Sequence, residues 1–258
     1  MIMSPLVSII TVNLNNAQGL EKTIASAVNQ TYTSVEVIVI DGASSDGSKT
    51  VIEKYSDRLK YWISERDNGV YNAMNKGILK SNGDYVLFLN SGDTFNSETG
   101  LASLINNGCK ADIIFGDLVM VGEGKTRQVV FPDKVSFRFF LINSLPHPAT
   151  LIKREIFDEI GLYNENYLII SDWLFFMLAI CKYNYSYCHV PSFISNFQLG
   201  GLSSIEQAKI EEERLHALSK YFPAFLEDYK ERDLLEKELA LARKQIGYRV
   251  HNKLRKLF

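Results

Sequence analysis

Across roughly the first 120 residues, short β-branched and aliphatic runs alternate with stretches of helical spacing. Leu6–Val12 reads as a buried strand, and Gly19–Gln30 follows with apolar residues at Leu20, Ile24, Ala27 and Val28. Val35–Asp41 is a second strand. Ser45 or Asp46 then caps a helix that Asp46-Gly-Ser-Lys-Thr opens. Leu59–Ser64 is a third strand, Val70–Lys80 a helix, Tyr85–Asn90 a fourth strand and Ala111–Gly116 a fifth. Strands apolar along their whole length are buried on both faces. Alternation with helices therefore implies a mostly parallel α/β sheet covered on both sides.

After Asp117 the rhythm changes. Asp117–Val121 and Arg127–Phe131 flank Gly-Glu-Gly as a hairpin. Helical patterns follow near Ser136–Ile142, Lys153–Ile160 and Asp172–Lys182, with two short strands near Tyr185–Val190 and Phe193–Phe197. From Ser203 the pattern is almost wholly helical, interrupted at Pro223. The expected organisation is one domain over 1–202, split at about 117 into a nucleotide-binding half and a mixed α+β acceptor half, followed by a helical extension over 203–258.

Apolar residues make up 46% of the 258, enough for a substantial core, and the net charge of −2 offers no broad basic field for nucleic acid. Cys109, Cys181 and Cys188 show no ligand spacing. An odd, unpatterned set argues against a disulfide framework and for a reducing compartment. Leu6–Val12 follows Met-Ile-Met-Ser-Pro without a basic residue, unlike a signal peptide, and Leu174–Cys181 is too short to span a bilayer. A cytoplasmic protein, soluble or peripheral on the inner face of the membrane, is expected.

Ligands of open parallel sheets bind beyond the carboxyl ends of the strands. Four such ends are polar here: Asn13, Asn15 and Asn16; Asp41 through Ser48; Glu65 through Gly69; and Asn90-Ser-Gly-Asp93. One polar end is a cap or a turn, whereas four on one edge point to a shared cleft. Asp41 either accepts from a base imide or ribose hydroxyl or caps the next helix. With Asp46 and the serines available for capping, the ligand role is favoured. Small Ser91 and Gly92 let a diphosphate approach the backbone, and Asp93 beside them suits Mg²⁺ or Mn²⁺, which take oxygen ligands. The alternative for Asp93 is an Asx turn.

The segments VSIITVNLN, VEVIVIDGASSDGS, ERDNGVYNAMNKGI and YVLFLNSGD, in this order and spacing, resemble family 2 glycosyltransferases of the GT-A fold. The likeness runs from about Leu6 to Ser195 and is greatest to bacterial colanic acid and O-antigen enzymes, where a stretch like Tyr71-Asn-Ala-Met-Asn-Lys-Gly77 recurs. It implies transfer, with inversion, from a nucleotide-diphosphate sugar to a hydroxyl of a growing, polyprenyl-diphosphate-linked glycan. The implied donor site takes in Val12, Asn13, Asn15, Asp41, Asp67, Asn68, Gly69, Tyr71, Asn75, Ser91 and Gly92, with Asp93 as the metal carboxylate of a DxD-like motif. Relatives often carry an acid where this chain has Asn90 or Gly92, which leaves one protein carboxylate for the metal.

Asp172 matches the carboxylate that serves such enzymes as general base, a role that an attacking hydroxyl requires. As a residue at a helix start it could equally be an N-cap. His147 matches a histidine that would line the acceptor or diphosphate site, and Trp173 either stacks on a sugar or belongs to the core. Gln198–Ser204, with two glycines, is either a lid or a plain loop. The last residues, from Arg243, hold six basic residues and no acid. Leu239, Ile246, Val250, Leu254, Leu257 and Phe258 form an apolar face suited to anionic lipid, or to a second copy in a homodimer. A dinucleotide-dependent oxidoreductase would need G-x-G-x-x-G after strand one, where this chain has Asn-Leu-Asn-Asn. A nucleotide-sugar-binding scaffold without turnover is the remaining alternative, supported only by the thinned DxD motif.

Overall fold

The computed structural model describes residues 4–122, 124–200, 207–227, 231–232, 234–235 and 238–244. Four parallel strands, β1 (Val7–Asn13), β2 (Val35–Asp41), β3 (Tyr61–Ser64) and β4 (Tyr85–Phe88), lie in the order β3-β2-β1-β4. Helices α1 (Ala17–Val28), α2 (Ser48–Lys54) and α3 (Val70–Lys80) connect them. Alternate residues along each strand explain the continuous apolar runs. Val7, Ile9, Val37, Val39 and Leu87 join one cluster with Leu20 and Ile24 of α1 and Ile52 of α2. Ile10, Ile38, Ile40 and Phe88 are buried between them along the same strands, and α3 packs on β1 and β2.

Beyond β4 the sheet is mixed. The hairpin of β6 (Ile113–Gly122) and β7 (Lys125–Val129) follows β5 (Thr94–Phe95) and α4 (Gly100–Ile105). The remaining elements are α5 (Phe137–Phe140), β8 (Thr150–Lys153), α6 (Ile156–Ile160), α7 (Ser171–Met177) and β9 (Tyr187–Gln198). β8 inserts antiparallel between β4 and β6, β9 runs parallel to β6, and β5 pairs antiparallel with β9. The expected fifth strand therefore does not sit beside the fourth. It is one long strand that absorbs the first arm of the hairpin, and the two short strands near 185–197 are likewise a single β9.

The two compact units are Met1–Ile210 and Glu211–Phe258. Helix Gln207–Tyr221 enters the second, and a 3-10 turn at Pro223–Phe225 follows its end, where proline cannot continue the helix. Among the described residues no helix is long and apolar enough to cross a membrane. Most of the apolar and basic tail face, and the loop from residue 201, lie outside the described residues.

Two expectations are corrected. Cys109, after α4, and Cys188, on β9, form a disulfide with Cα atoms 6.3 Å apart, where the sequence spacing pointed to no disulfide. The pairing of β9 with β6 sets Cys188 opposite Ile114, which brings two residues 79 apart in sequence together. Cys181 stays free, its thiol pushed up to about 11 by burial.

Trp173 is a core residue and not a sugar platform. It is 2% exposed and its Nε1–H donates to the Phe140 carbonyl at 2.7 Å. Trp173→Ala is expected to cost about 3–5 kcal/mol in urea unfolding, the range for removing a large buried aromatic. A cost below about 1 kcal/mol would show that the ring is not buried as described.

Candidate active site

The last residues of three neighbouring strands, Asn13, Asp41 and Ser64, stand in register across β1, β2 and β3. Asp41 is fully buried and takes hydrogen bonds from Asn13 Nδ2 (2.7 Å), Ser64 Oγ (2.6 Å), Ser44 Oγ (2.5 Å) and the Ser44 backbone (3.0 Å). Burial pushes its carboxyl up, but the bonds from Ser44, Ser64 and Asn13 together outweigh burial and hold it below the usual carboxylate value. The residue reserved by sequence for a base or ribose is thus the hub of the strand ends, with both oxygens occupied. Asn13 gives its Nδ2 to the same hub, while its buried Oδ1 has no hydrogen-bond partner. Asn15 Oδ1 accepts from the Ser45 backbone at 2.9 Å and anchors the loop after β2.

Asp67 lies over the same corner. A Cβ at Gly42 would meet its Oδ2 at 2.7 Å, so glycine there lets the carboxylate rest on the β2 loop. Its other oxygen accepts from the Gly69 backbone at 3.0 Å, just before α3, and exposed Asn68 precedes that helix. Val12 is buried in β1 and meets the next loop through its carbonyl, which accepts from the Ser91 backbone at 3.1 Å.

The turn from Asn90 to Asp93 joins β4 to β5. Gly92 adopts φ +108, a left-handed value suited to glycine, and the Asp93 N–H donates to the Asn90 carbonyl at 2.9 Å. Thr23 of α1 pins the turn: its Oγ1 donates to the Asp93 carbonyl at 2.7 Å and accepts from the Gly92 N–H at 2.9 Å. The Asp93 carboxylate takes one hydrogen bond, from the Gln198 backbone at the end of β9, at 2.9 Å. Burial pushes this carboxyl up to about 7, against the opposing effect of that bond. Nearby, buried Asn90 Oδ1 has no hydrogen-bond partner.

Asp93 and Asn90 open onto a cavity of about 430 Å³ that Asp172, Tyr71, Ser91 and His147 also line. Asp172 is not the N-cap of α7: that position is Ile170, and Asp172 stands in the first turn. Its Oδ1 accepts from the Tyr71 hydroxyl at 2.7 Å, and its Oδ2 is 3.8 Å from His147 Nδ1. The buried Asn75 amide faces away from this cavity, toward Tyr163 and Glu165. Of the residues expected from sequence, the structure gathers Tyr71, Ser91, Asp93, His147 and Asp172 in one cavity, with Asp67 and Asn15 on the adjoining strand-end corner.

The glycosyl transferase family 2 pattern matches residues 8–161, more than half of the chain. An uncharacterized glycosyltransferase of Mycobacterium tuberculosis is 34% identical over 192 residues, covering 70% of this chain and 72% of its own. The chain belongs to glycosyl transferase family 2.

This glycosyltransferase is also 29% identical, over 67% of its length and 68% of the relative's, to a PGL/p-HBAD biosynthesis glycosyltransferase of M. tuberculosis. Staphylococcus aureus TarS 1-349, crystallised with UDP-GlcNAc, shares the fold with a TM-score of 0.62 at 20% identity. That likeness covers 76% of this chain, which spans about three fifths (59%) of the TarS one. The mannosyltransferase PcManGT of Pyrobaculum calidifontis, in complex with GDP-Man and Mn²⁺, gives a TM-score of 0.65 at 15% identity over 89% of this chain and 69% of its own. The fold is GT-A.

Three contributors to this glycosyltransferase's cavity have roles that the sequence did not assign to them. Asn16 caps α1 through its Oδ1 and donates from Nδ2 to the Ser91 carbonyl at 3.0 Å. Its place after β1 was the available signal. Asn90 reads as part of a polar strand end and as a place where relatives carry an acid, without a role of its own. Gln198 acts through its backbone N–H, which no residue type announces.

Proposed function

We propose that this glycosyltransferase moves a sugar from a nucleotide-diphosphate donor to an acceptor hydroxyl with inversion at the anomeric carbon. The observation that carries the reading is a single cavity with an oxygen pair, Asp93 and Asn90, and a separately held carboxylate, Asp172. The nucleotide would lie along the strand-end corner of Asn15, Gly42 and Asp67, with its diphosphate toward the Ser91–Gly92 turn. UDP-GlcNAc bound to TarS and GDP-Man bound to PcManGT support this donor class.

The residues present fit a divalent cation. Asp93 offers a carboxylate of which only one oxygen takes the Gln198 hydrogen bond, and Asn90 offers a buried amide oxygen without a partner. Among the described residues no cluster of three His, Cys, Asp or Glu side chains surrounds a metal position, so phosphate and water oxygens would complete the shell. Mg²⁺ or Mn²⁺ bound there supplies positive charge against the departing diphosphate.

Asp172 takes the proton of the acceptor hydroxyl as its oxygen forms the bond to the anomeric carbon. The bond from that carbon to the diphosphate oxygen breaks, and the diphosphate leaves with the electron pair. Attack from the face opposite the leaving group inverts the centre. The acceptor is a hydroxyl of a growing glycan, on a lipid carrier by the family likeness. The relative named for PGL/p-HBAD biosynthesis supports a role in building a glycoconjugate.

A thermal-shift screen of UDP-, GDP- and dTDP-sugars with Mg²⁺ and Mn²⁺ tests the donor class, because a ligand that binds the native state raises its melting temperature by mass action. One nucleotide family is expected to stabilise the protein, and more so with metal. No shift with any donor at millimolar concentration would overturn the reading. Stabilisation without any release of nucleoside diphosphate would instead favour the scaffold alternative.

A further inference from the structure

Behind Asp172 lies a buried polar assembly that the transfer step as described does not use. Tyr71, on α3, is 5% exposed, and its single hydroxyl proton is shared between Asp172 Oδ1 (2.7 Å) and the Ile169 carbonyl (2.5 Å). Both acceptors lie at the start of α7, so one phenol ties α3 to the turn that presents the carboxylate. From the other side His147 faces Asp172 Oδ2 with Nδ1, while its Nε2 meets the Tyr163 hydroxyl at 2.9 Å. With Tyr163 as donor, the ring proton sits on Nδ1, the atom turned to Asp172.

The imidazole is fixed by packing as well. It stacks on Phe88 with centroids 4.7 Å apart, and Tyr163 and Phe176 meet its edges. Tyr163 is fixed in turn: Asn75 donates to its carbonyl at 2.9 Å and accepts from its backbone N–H at 3.0 Å. Support thus runs from Asn75 through Tyr163 and His147 to the carboxylate.

We propose that Tyr71 and the His147–Tyr163 pair are positioning residues that hold Asp172 in its working orientation, so that Tyr71 serves the base and not the nucleotide. The inference rests on the reading of Asp172 as the base. Burial first, and the Asp172 charge second, hold the Tyr71 phenol well above its ordinary value, which keeps it a neutral donor. Burial holds the His147 imidazole below its ordinary value against the opposing pull of Asp172, which keeps the ring uncharged. Neither group competes for the acceptor's proton. Tyr71 offers the carboxylate a hydrogen fixed in space, and the packed His147 ring stands 3.8 Å from its other oxygen, the kind of support that a reacting group needs to stay within a fraction of an ångström of its target.

The test is a double-mutant cycle on the full chain. It reads nucleoside diphosphate release from UDP-N-acetylglucosamine or GDP-mannose, whichever stabilises the protein, with Mn²⁺ and with water as the acceptor hydroxyl. Tyr71→Phe is expected to lower kcat by on the order of tenfold to a hundredfold with donor KM unchanged, the loss for one hydrogen bond to a charged group. Tyr163→Phe, which keeps its ring and packing, is expected to lower kcat less, by roughly threefold to tenfold. In an Asp172→Asn background neither change should lower kcat further, because residues that act through one group are not additive.

Three results would overturn the proposal: a parent-like kcat in Tyr71→Phe, a loss that appears in donor KM, or a full Tyr71→Phe loss on top of Asp172→Asn. A parent that turns over none of the donors, or Asp172→Asn at the parent rate, removes the base reading itself and the positioning role with it. Melting temperatures of the single variants with and without donor separate these outcomes from unfolding.

Discussion

Asp172→Asn lowers sugar transfer by on the order of 10²–10⁴-fold and leaves donor binding intact, the expected loss for removing a general base. The substitution is nearly isosteric. Its amide keeps an oxygen for the Tyr71 hydroxyl, and Ile170, which occupies the N-cap of α7, is untouched. What disappears is the capacity to accept a proton as the acceptor oxygen attacks. Steady-state transfer, with thermal shift for the donor, checks both halves. A variant that transfers at the parent rate would sink the assignment, and one that no longer binds donor would place Asp172 in the donor site.

Asp93→Asn has the other large effect, and it acts in two opposite directions. With Mn²⁺ present, the variant should lose the metal-stimulated part of donor binding, because the one carboxylate of the oxygen pair is gone. In metal-free protein it should be the more stable form at neutral pH. Burial raises the Asp93 carboxyl to about 7 in the folded protein, from an ordinary value of 3.8. A raised acid is a stabilising influence only while it is protonated. Its contribution is complete below the unfolded value, fades as pH rises through that window and is gone above the folded value.

The melting temperature of the parent should therefore fall relative to Asp93→Asn between about pH 4 and pH 7 and then run parallel to it. The full difference has a ceiling of about 4 kcal/mol, from roughly three pH units at about 1.4 kcal/mol each. Parallel melting curves from pH 4 to pH 8 would contradict the buried, singly bonded carboxylate described here.

The parts of the molecule legible in sequence are those whose signal is local. β1 and β2 announce themselves because both of their faces are buried, which makes most of their residues apolar. α3 begins and ends where its spacing says, and the polar residues after each strand do converge on one edge. Other parts depend on partners far away along the chain. Asp41 reads as free for a ligand, because two of the donors that occupy it, Asn13 and Ser64, belong to neighbouring strands. Asn75 looks like a cavity residue until the 163–165 loop, nearly 90 residues on, takes its amide. An indole beside a carboxylate suits a sugar or a core equally well, and only the Phe140 carbonyl decides for the core. The β6 boundary failed because Gly116-Asp117 interrupts its apolar run, whereas pairing with β7 and β9 carries the same strand on through the half-buried residues to Gly122.

The whole account assigns one cavity to both halves of the reaction. A crystal structure of the full chain grown with a nucleoside diphosphate and Mn²⁺, with anomalous scattering recorded for manganese, tests that most directly. The expected map has the manganese peak within coordination distance of Asp93 and the Asn90 amide oxygen, diphosphate oxygens on its other side, and the Asp172 carboxylate facing the open end of the same cavity. A manganese peak away from Asp93, or a nucleotide bound where Asp172 cannot face it, would contradict the account.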